Sequence, residues 1–324
     1  MKKELNKLKV IKTNNIKDIN IKLQYPYTKE MYSLLKQENK FNQEYFYLKK
    51  GKDFAFFSIY ENKMNIFTFG KLELYMKLKV IGYPCSLSNC GYVTNNEEMM
   101  IDYIKTIKGA KLVLNVSNPK KYKNITIGET LPTCIFNQKY TNVNEYLNTL
   151  RASYRRRINK AINNTKDIKI KEINDNSIDI YNLYLNTYNK SNYKLEKLEK
   201  GFFEKINATK LVFTKNNKPV GFTLLKINNN KLIFMLCGMD YSIDTTDLYY
   251  LMLYKIVEYA IKHKCNEIDF GQTSEETKLK FGSILERKYF YIHHSNKLLN
   301  KIASLIKGLL EYKYKFPNYK VFKE

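Results

Sequence analysis

Tryptophan is absent from the chain and arginine nearly so. Of 56 basic residues only Arg151, Arg155, Arg156, Arg157 and Arg287 are arginine, which leaves 56 − 5 = 51 lysines. The three histidines (His263, His293, His294) and five cysteines (Cys85, Cys90, Cys134, Cys237, Cys265) form no CxxC pair and no zinc-ligand spacing. An odd cysteine count without pattern fits reduced thiols in a cytoplasmic protein. No serine, cysteine and histidine set argues for a hydrolase triad, and no Gly-rich phosphate loop is present. Apolar runs stay well short of the roughly 18 residues of a membrane span. The N-terminal MKKELNKLKV lacks the apolar core of a signal peptide.

What is present is core-forming material. Hydrophobic residues make up 44% and aromatics 14% of 324 residues, which suits two domains and argues against disorder. The net charge of +25 has two readings. A Lys-, Asn- and Ile-heavy chain carries the mark of AT-rich coding, which enriches lysine everywhere. A basic, non-catalytic nucleic-acid-binding protein is the other reading, although no helix-turn-helix, zinc or RNA-binding signature accompanies it. Background composition does not explain why four of the five arginines fall between Arg151 and Arg157.

Two halves are visible, joined near residues 138 to 145, and the chain divides into domains at 1–140 and 141–324. In the first, EYFYLKK, DFAFFSIYE and KMNIFTFGK read as strands, NNEEMMIDYIKTI as a helix and AKLVLNVSN as a further strand. In the second, TKLVFTK, VGFTLLKI and KLIFMLCGMD are strands joined by Asn-rich turns. A helix over about Thr245 to Lys264, the strand EIDFG and the strand RKYFYIHH follow. Strand–helix–strand requires a crossover, so each half predicts a mixed sheet with a parallel pair. The fold class is therefore α/β, mixed sheets flanked by helices. Between the halves, YTNVNEYLNTLRASYRRRINKAINN reads as one helix, with Asn142 and Glu145 as a capping box and Leu147, Leu150, Tyr154, Ile158 and Ala161 on one face. The tail from Leu298 is an amphipathic helix with a basic end, a surface suited to peripheral contact.

The stretch IDFGQTSEETKLKFGS concentrates the chemistry. Asp269 and Gln272 fall at the carboxyl end of a parallel strand, where α/β sheets gather ligands. Thr273 with Glu276 reads as the capping box of a two-turn helix, and Gly282 as its left-handed cap. Lys278 acts on a ligand when it points into a cleft and is a solvated charge when it does not. Arg151 and Arg155 share one helix side and, with Arg156, can fork onto phosphate or carboxylate. At the start of the long helix, donor phosphates would meet Tyr241, Ser242, Thr245 and Thr246, but Asp244 and Asp247 compete for the helix amides and capping is the better reading.

Taken in order, LPTCIFNQKY, YLNTLRASYRRRINKA, PVGFTLLKI, CGMDYS and IDFGQTSEETKLKFGS resemble the GNAT-like acyltransferases, including the Fem peptidyltransferases, over residues 131 to 294. The resemblance implies two GNAT-like domains in tandem, an amine acceptor (small molecule or peptide) at the cleft between them, and acyl-CoA or aminoacyl-tRNA as co-substrate with no tightly bound cofactor. It maps Lys278 onto the lysine of a Phe-Lys-x-x-Phe-Gly pattern at the reaction centre, with Thr277 in place of the aromatic. Arg155 matches the segment that meets acceptor phosphates, and Tyr193 is placed on the acceptor side. Asp269 takes the part of proton acceptor or amine-orienting group, or of a structural aspartate.

Overall fold

Apolar residues spaced by two and broken by Lys-Gly-Lys or Asn-Asn build the strands, and apolar residues spaced by three and four build the helices between them. The computed structural model describes residues 7–24, 26, 28–39, 41–85 and 87–323, so Met1–Asn6 of the N-terminal stretch lie outside the described residues. The first part of the chain runs β1 (Lys9–Thr13), α1 (Lys29–Glu38), β2 (Glu44–Lys50), β3 (Asp53–Asn65), β4 (Tyr75–Ile81), β5 (Tyr92–Thr94), α2 (Glu97–Thr106) and β6 (Ala110–Val116). Next come β7 (Thr126–Asn137), α3 (Val143–Thr149), α4 (Ala152–Asn164), β8 (Lys169–Ile173), α5 (Tyr181–Lys190) and α6 (Lys200–Lys205). Then follow β9 (Thr209–Lys215), β10 (Lys218–Asn228), β11 (Lys231–Met239), α7 (Thr245–Lys262), β12 (Glu267–Asp269) and α8 (Glu275–Leu279). The last elements are β13 (Ile284–His294), α9 (Lys297–Leu305) and α10 (Lys307–Leu310).

The chain forms two compact units, each assembled from separated segments. One holds Met1–Leu131, Asn192–Phe202 and Arg287–Lys313; the other holds Pro132–Ser191, Phe203–Glu286 and Tyr314–Glu324. Where sequence pattern divides the chain at 140/141, this division first falls within β7, at Leu131/Pro132.

In the first unit β1 to β4 pair antiparallel in sequence, β4 and β6 pair parallel with Val80 opposite Leu112, and β6 pairs antiparallel with β13. Helix α2 makes the crossover, its amides capped by Asn96, and packs Met100, Ile101 and Ile104 on Phe46, Phe57, Ile81 and Val113. KMNIFTFGK is not a separate strand. Asp53–Asn65 is one continuous strand through Glu61-Asn62-Lys63, because those polar residues pair in register with Lys79, Leu78 and Lys77 of β4.

The second unit repeats the order: β9, β10 and β11 antiparallel, α7 as crossover, and β12 parallel to β11 with Leu232 opposite Ile268. Its core joins Leu248, Leu251, Met252, Ile256 and Val257 of α7 to Phe213, Leu225, Leu232 and Ile268 of the strands. Burying each such side chain contributes roughly 1.5–3 kcal/mol. The segment 140–164 is two helices rather than one. Leu150 is extended and bridges to Phe322, and the Arg151 amide bonds the Val321 carbonyl, which interrupts the helix between α3 and α4. The apolar face survives the break, with Leu150, Ile158 and Ala161 fully buried. The tail is helical only to Leu310; beyond it the chain is irregular.

Candidate active site

Strand β11 runs on from Phe234 to Met239 beyond its last pair with β12, Ile233–Asp269, where β12 itself ends. The exit from β12 is tightly wound: Gly271, Thr273 and Ser274 all take positive φ (71°, 63° and 51°). Ser274, not Thr273, is the N-cap of α8. It sits in the left-handed region without a side-chain cap bond, so the Thr273–Glu276 capping box does not form and α8 is five residues long. Gly282 has φ 93°, as a left-handed cap requires.

This winding turns Lys278 inward. Its side chain is 2% exposed, and its ammonium donates to the carbonyls of Gln272 (2.7 Å) and Gly271 (3.2 Å). It lies 6.0 Å from the Phe234 ring centroid. Among the described residues its third N–H meets no acceptor. Burial pushes its pKa below the ordinary lysine value, against the pull of Cys134, Glu275, Cys237 and Asp269. The same burial raises the Cys134 and Cys237 thiols to about 11, so both are protonated, unreactive thiols at neutral pH. Glu275 is 5% exposed, and its Oε1 has no hydrogen-bond partner among the described residues. In sequence Glu275 reads as an ordinary first-turn acid; only the left-handed Ser274 turns it inward.

Asp269 and Gln272 join Lys278 at this turn. The Asp269 Oδ1 accepts from Thr133 Oγ1 (2.7 Å) and the Gly271 amide (2.9 Å), and Oδ2 faces Lys231 at 3.6 Å. That geometry anchors the strand exit and holds the backbone on which Gln272 and Lys278 depend. Gln272 contributes its carbonyl to Lys278.

The arginines divide by task. Arg151 is the N-cap of α4 and its Nε donates to the Phe322 carbonyl at 3.0 Å. The Phe322 ring lies against Gly282, where an added Cβ would come within 2.2 Å of it. Arg151 therefore fastens the C-terminal segment over the turn that follows α8. Arg157 pairs with Asp247 at 2.7 Å and stacks 3.9 Å from the Tyr250 ring, locking α4 to α7. Arg155 is half-buried and Arg156 exposed, and neither guanidinium has a partner among the described residues. Tyr193 belongs to the other unit, where it meets Phe69 at a tilt and Tyr312 edge-on.

Asp247 also accepts from Asn164 at 2.7 Å. Burial alone would raise its pKa, but the bonds from Asn164 and Arg157 outweigh it and hold the carboxyl below the usual range. Its contribution to stability is then complete above the unfolded value of about 3.9 and is lost as pH falls through the folded one. Asp247→Asn is expected to lower stability by about 2 kcal/mol at neutral pH, the scale of hydrogen bonds to a charged group, and to flatten the acid limb, read from urea midpoints across pH.

At the start of α7, Asp244 accepts from the amides of Thr246 (2.9 Å) and Asp247 (3.4 Å). The helix terminus is capped, so Thr245 and Thr246 present no open amide pair. Tyr241 and Ser242 instead line an open hollow of about 450 Å³ with Asn186, Asn189, Lys190 and Asp240. The Lys190 ammonium sits 3.9 Å over the Tyr241 ring.

Residues 124–308 match the model of a FemAB-like family described as peptidoglycan biosynthesis/recognition, more than half of the chain. The chain belongs to the FemAB-like family. The tandem GNAT protein of the clavulanic acid biosynthesis pathway, solved without AcCoA, is 7% identical, covers 90% of this chain and 99% of its own, and superposes with a TM-score of 0.52. That likeness is one of fold: this FemAB-like chain has the tandem GNAT architecture that the sequence resemblance implies. FemX is 12% identical over 85% of this chain and 93% of its own, TM-score 0.47. L-PGS from Bacillus licheniformis is 10% identical over 90% and 98%, TM-score 0.49. No curated protein matches the sequence. Family and fold together are FemAB-like and tandem GNAT. Among the described residues no helix is long and apolar enough to cross a membrane.

Proposed function

We propose that this FemAB-like protein transfers an aminoacyl or acyl group from an activated ester or thioester to an amine, with the reaction centre at the carboxyl end of β12. The observation that carries the reading is Lys278: a buried ammonium with one uncommitted N–H, at the carboxyl end of a parallel strand pair. The amine nitrogen attacks the donor carbonyl, the carbon–oxygen or carbon–sulfur bond breaks, and the amine proton leaves with the departing group. Lys278 offers its charge and free N–H to the tetrahedral oxyanion, in a dry site where such a donor is worth most. The strand-exit anchor at Asp269 holds it in place. Positioning of the two partners supplies much of the remaining rate.

Aminoacyl-tRNA is the donor favoured by the capped start of α7, because Asp244 takes the amides a CoA pyrophosphate would use. The unpartnered Arg155 and Arg156 are suited to phosphates. Such a donor is met in the cytoplasm, and the family description makes an amine of a cell-wall peptide the first acceptor to try. Acyl-CoA is the second reading, supported by the Lys190–Tyr241 hollow.

The test offers labelled aminoacyl-tRNA or labelled acetyl-CoA to the purified protein with a lysine-bearing cell-wall peptide, and follows the label by mass spectrometry. Transfer from the tRNA is expected. Transfer from acetyl-CoA alone would reassign the donor, and no transfer from either to a panel of amines would sink the proposal.

A further inference from the structure

Helix α9 is amphipathic with its apolar side outward. Leu298, Ile302 and Leu305 follow at steps of four and three on one face, and they are 67%, 41% and 76% exposed. Leu309, 53% exposed, extends the series into α10. The opposite side is held to the unit: Asn300 donates to the Asn124 carbonyl and accepts from the His294 amide, while Ile306 and Leu310 pack with Phe67, Leu78, Leu112 and Phe290. The outward face is therefore fixed in position. The turn end of the β3–β4 hairpin, where Met64, Ile66, Phe67 and Leu78 pack in the same cluster, also carries exposed Leu72, Leu74 and Tyr75.

We infer that this face docks onto the surface of an anionic lipid bilayer, with α9 lying in the interface plane. The charge around it selects that occupant. Lys297 and Lys301 lie along one side of the stripe, Lys307 and Lys313 follow it, and the nearby acid Glu311 is engaged by Lys307 at 3.3 Å. A second copy of the chain, itself at net charge +25, would set these lysines against their own kind. A nucleic acid would leave the leucines with nothing apolar to meet. An exposed leucine stripe with lysines beside it matches the boundary between headgroups and acyl chains, where apolar burial and attraction to anionic lipid act together. This inference is independent of the transferase reading.

The experiment is flotation of the full chain with vesicles of phosphatidylcholine alone or mixed with phosphatidylglycerol, alongside light scattering of the protein without lipid. Binding to the mixed vesicles is expected, about tenfold or more above phosphatidylcholine alone. It should weaken as salt rises. Leu298→Glu with Leu305→Glu should abolish it while far-UV circular dichroism stays unchanged, since both side chains are exposed. Lys297→Gln with Lys301→Gln should reduce it roughly thirtyfold without touching the stripe. Equal binding to both vesicle types, binding retained by the double glutamate variant, or a dimer that this variant dissolves would each overturn the inference.

Discussion

Lys278→Ala is expected to lower turnover by roughly a hundredfold to a thousandfold, the range for losing one oxyanion donor. It should also cost about 1–3 kcal/mol of stability, because two buried carbonyls lose their donor. The lysine is buried and bonded to Gly271 and Gln272, so its removal is not a surface change. Lys278→Met separates the effects, since it fills the stem's volume and removes only charge and donors. Turnover retained in the methionine variant would remove Lys278 from the chemistry.

The pH dependence has a definite sign. The folded pKa of Lys278 lies below the unfolded value, so between the two the unfolded chain binds more protons and stability rises with pH. Below the folded pKa the penalty for burying the charge is fully present; by about pH 10.4 it has gone. Lys278→Met should lack this rise. Wild-type turnover should fall where Lys278 loses its proton, earlier than an exposed lysine would dictate.

Gly238→Ala is expected to cost about 3 kcal/mol or more, at the upper end of overpacking effects. The reason is room rather than backbone freedom. A Cβ at Gly238 would stand 2.4 Å from the Leu183 carbonyl carbon and 2.5 Å from the Tyr184 nitrogen, both backbone atoms of α5. The helix must move away from β11, and Asn186 and Thr187 would lose their bonds to the Met239 backbone. The urea midpoint should drop accordingly. A variant as stable as wild type would mean that α5 yields freely there.

Local rules made much of this fold readable. EYFYLKK and TKLVFTK are strands at the bounds their turns suggest, and Asn142 and Asp244 cap helices as their spacing implies. Thr28 before Met31, Tyr32 and Leu35 was an equally local signal for α1. What escaped the sequence depends on distant partners. The break at Leu150 and Arg151 exists because Val321 and Phe322 lie alongside. The continuity of β3 through Glu61 rests on β4. At the site, residue types marked Lys278, but its direction comes from three left-handed residues that no spacing announces. Arg157, which spacing does not single out, is claimed by Asp247 and Tyr250.

The strand at the centre of the candidate site is also a matter of timing. Ile135 of β7 pairs with Asp269, 269 − 135 = 134 residues later. At ribosomal speeds of about 5–20 residues per second, that edge of β7 waits roughly 7–27 seconds for β12 to emerge. Over that interval its Cys134-Ile135-Phe136 run is an open template for other strands. The reaction centre is thus assembled late in synthesis, and conditions that slow translation lengthen the exposure of the strand on which it is built.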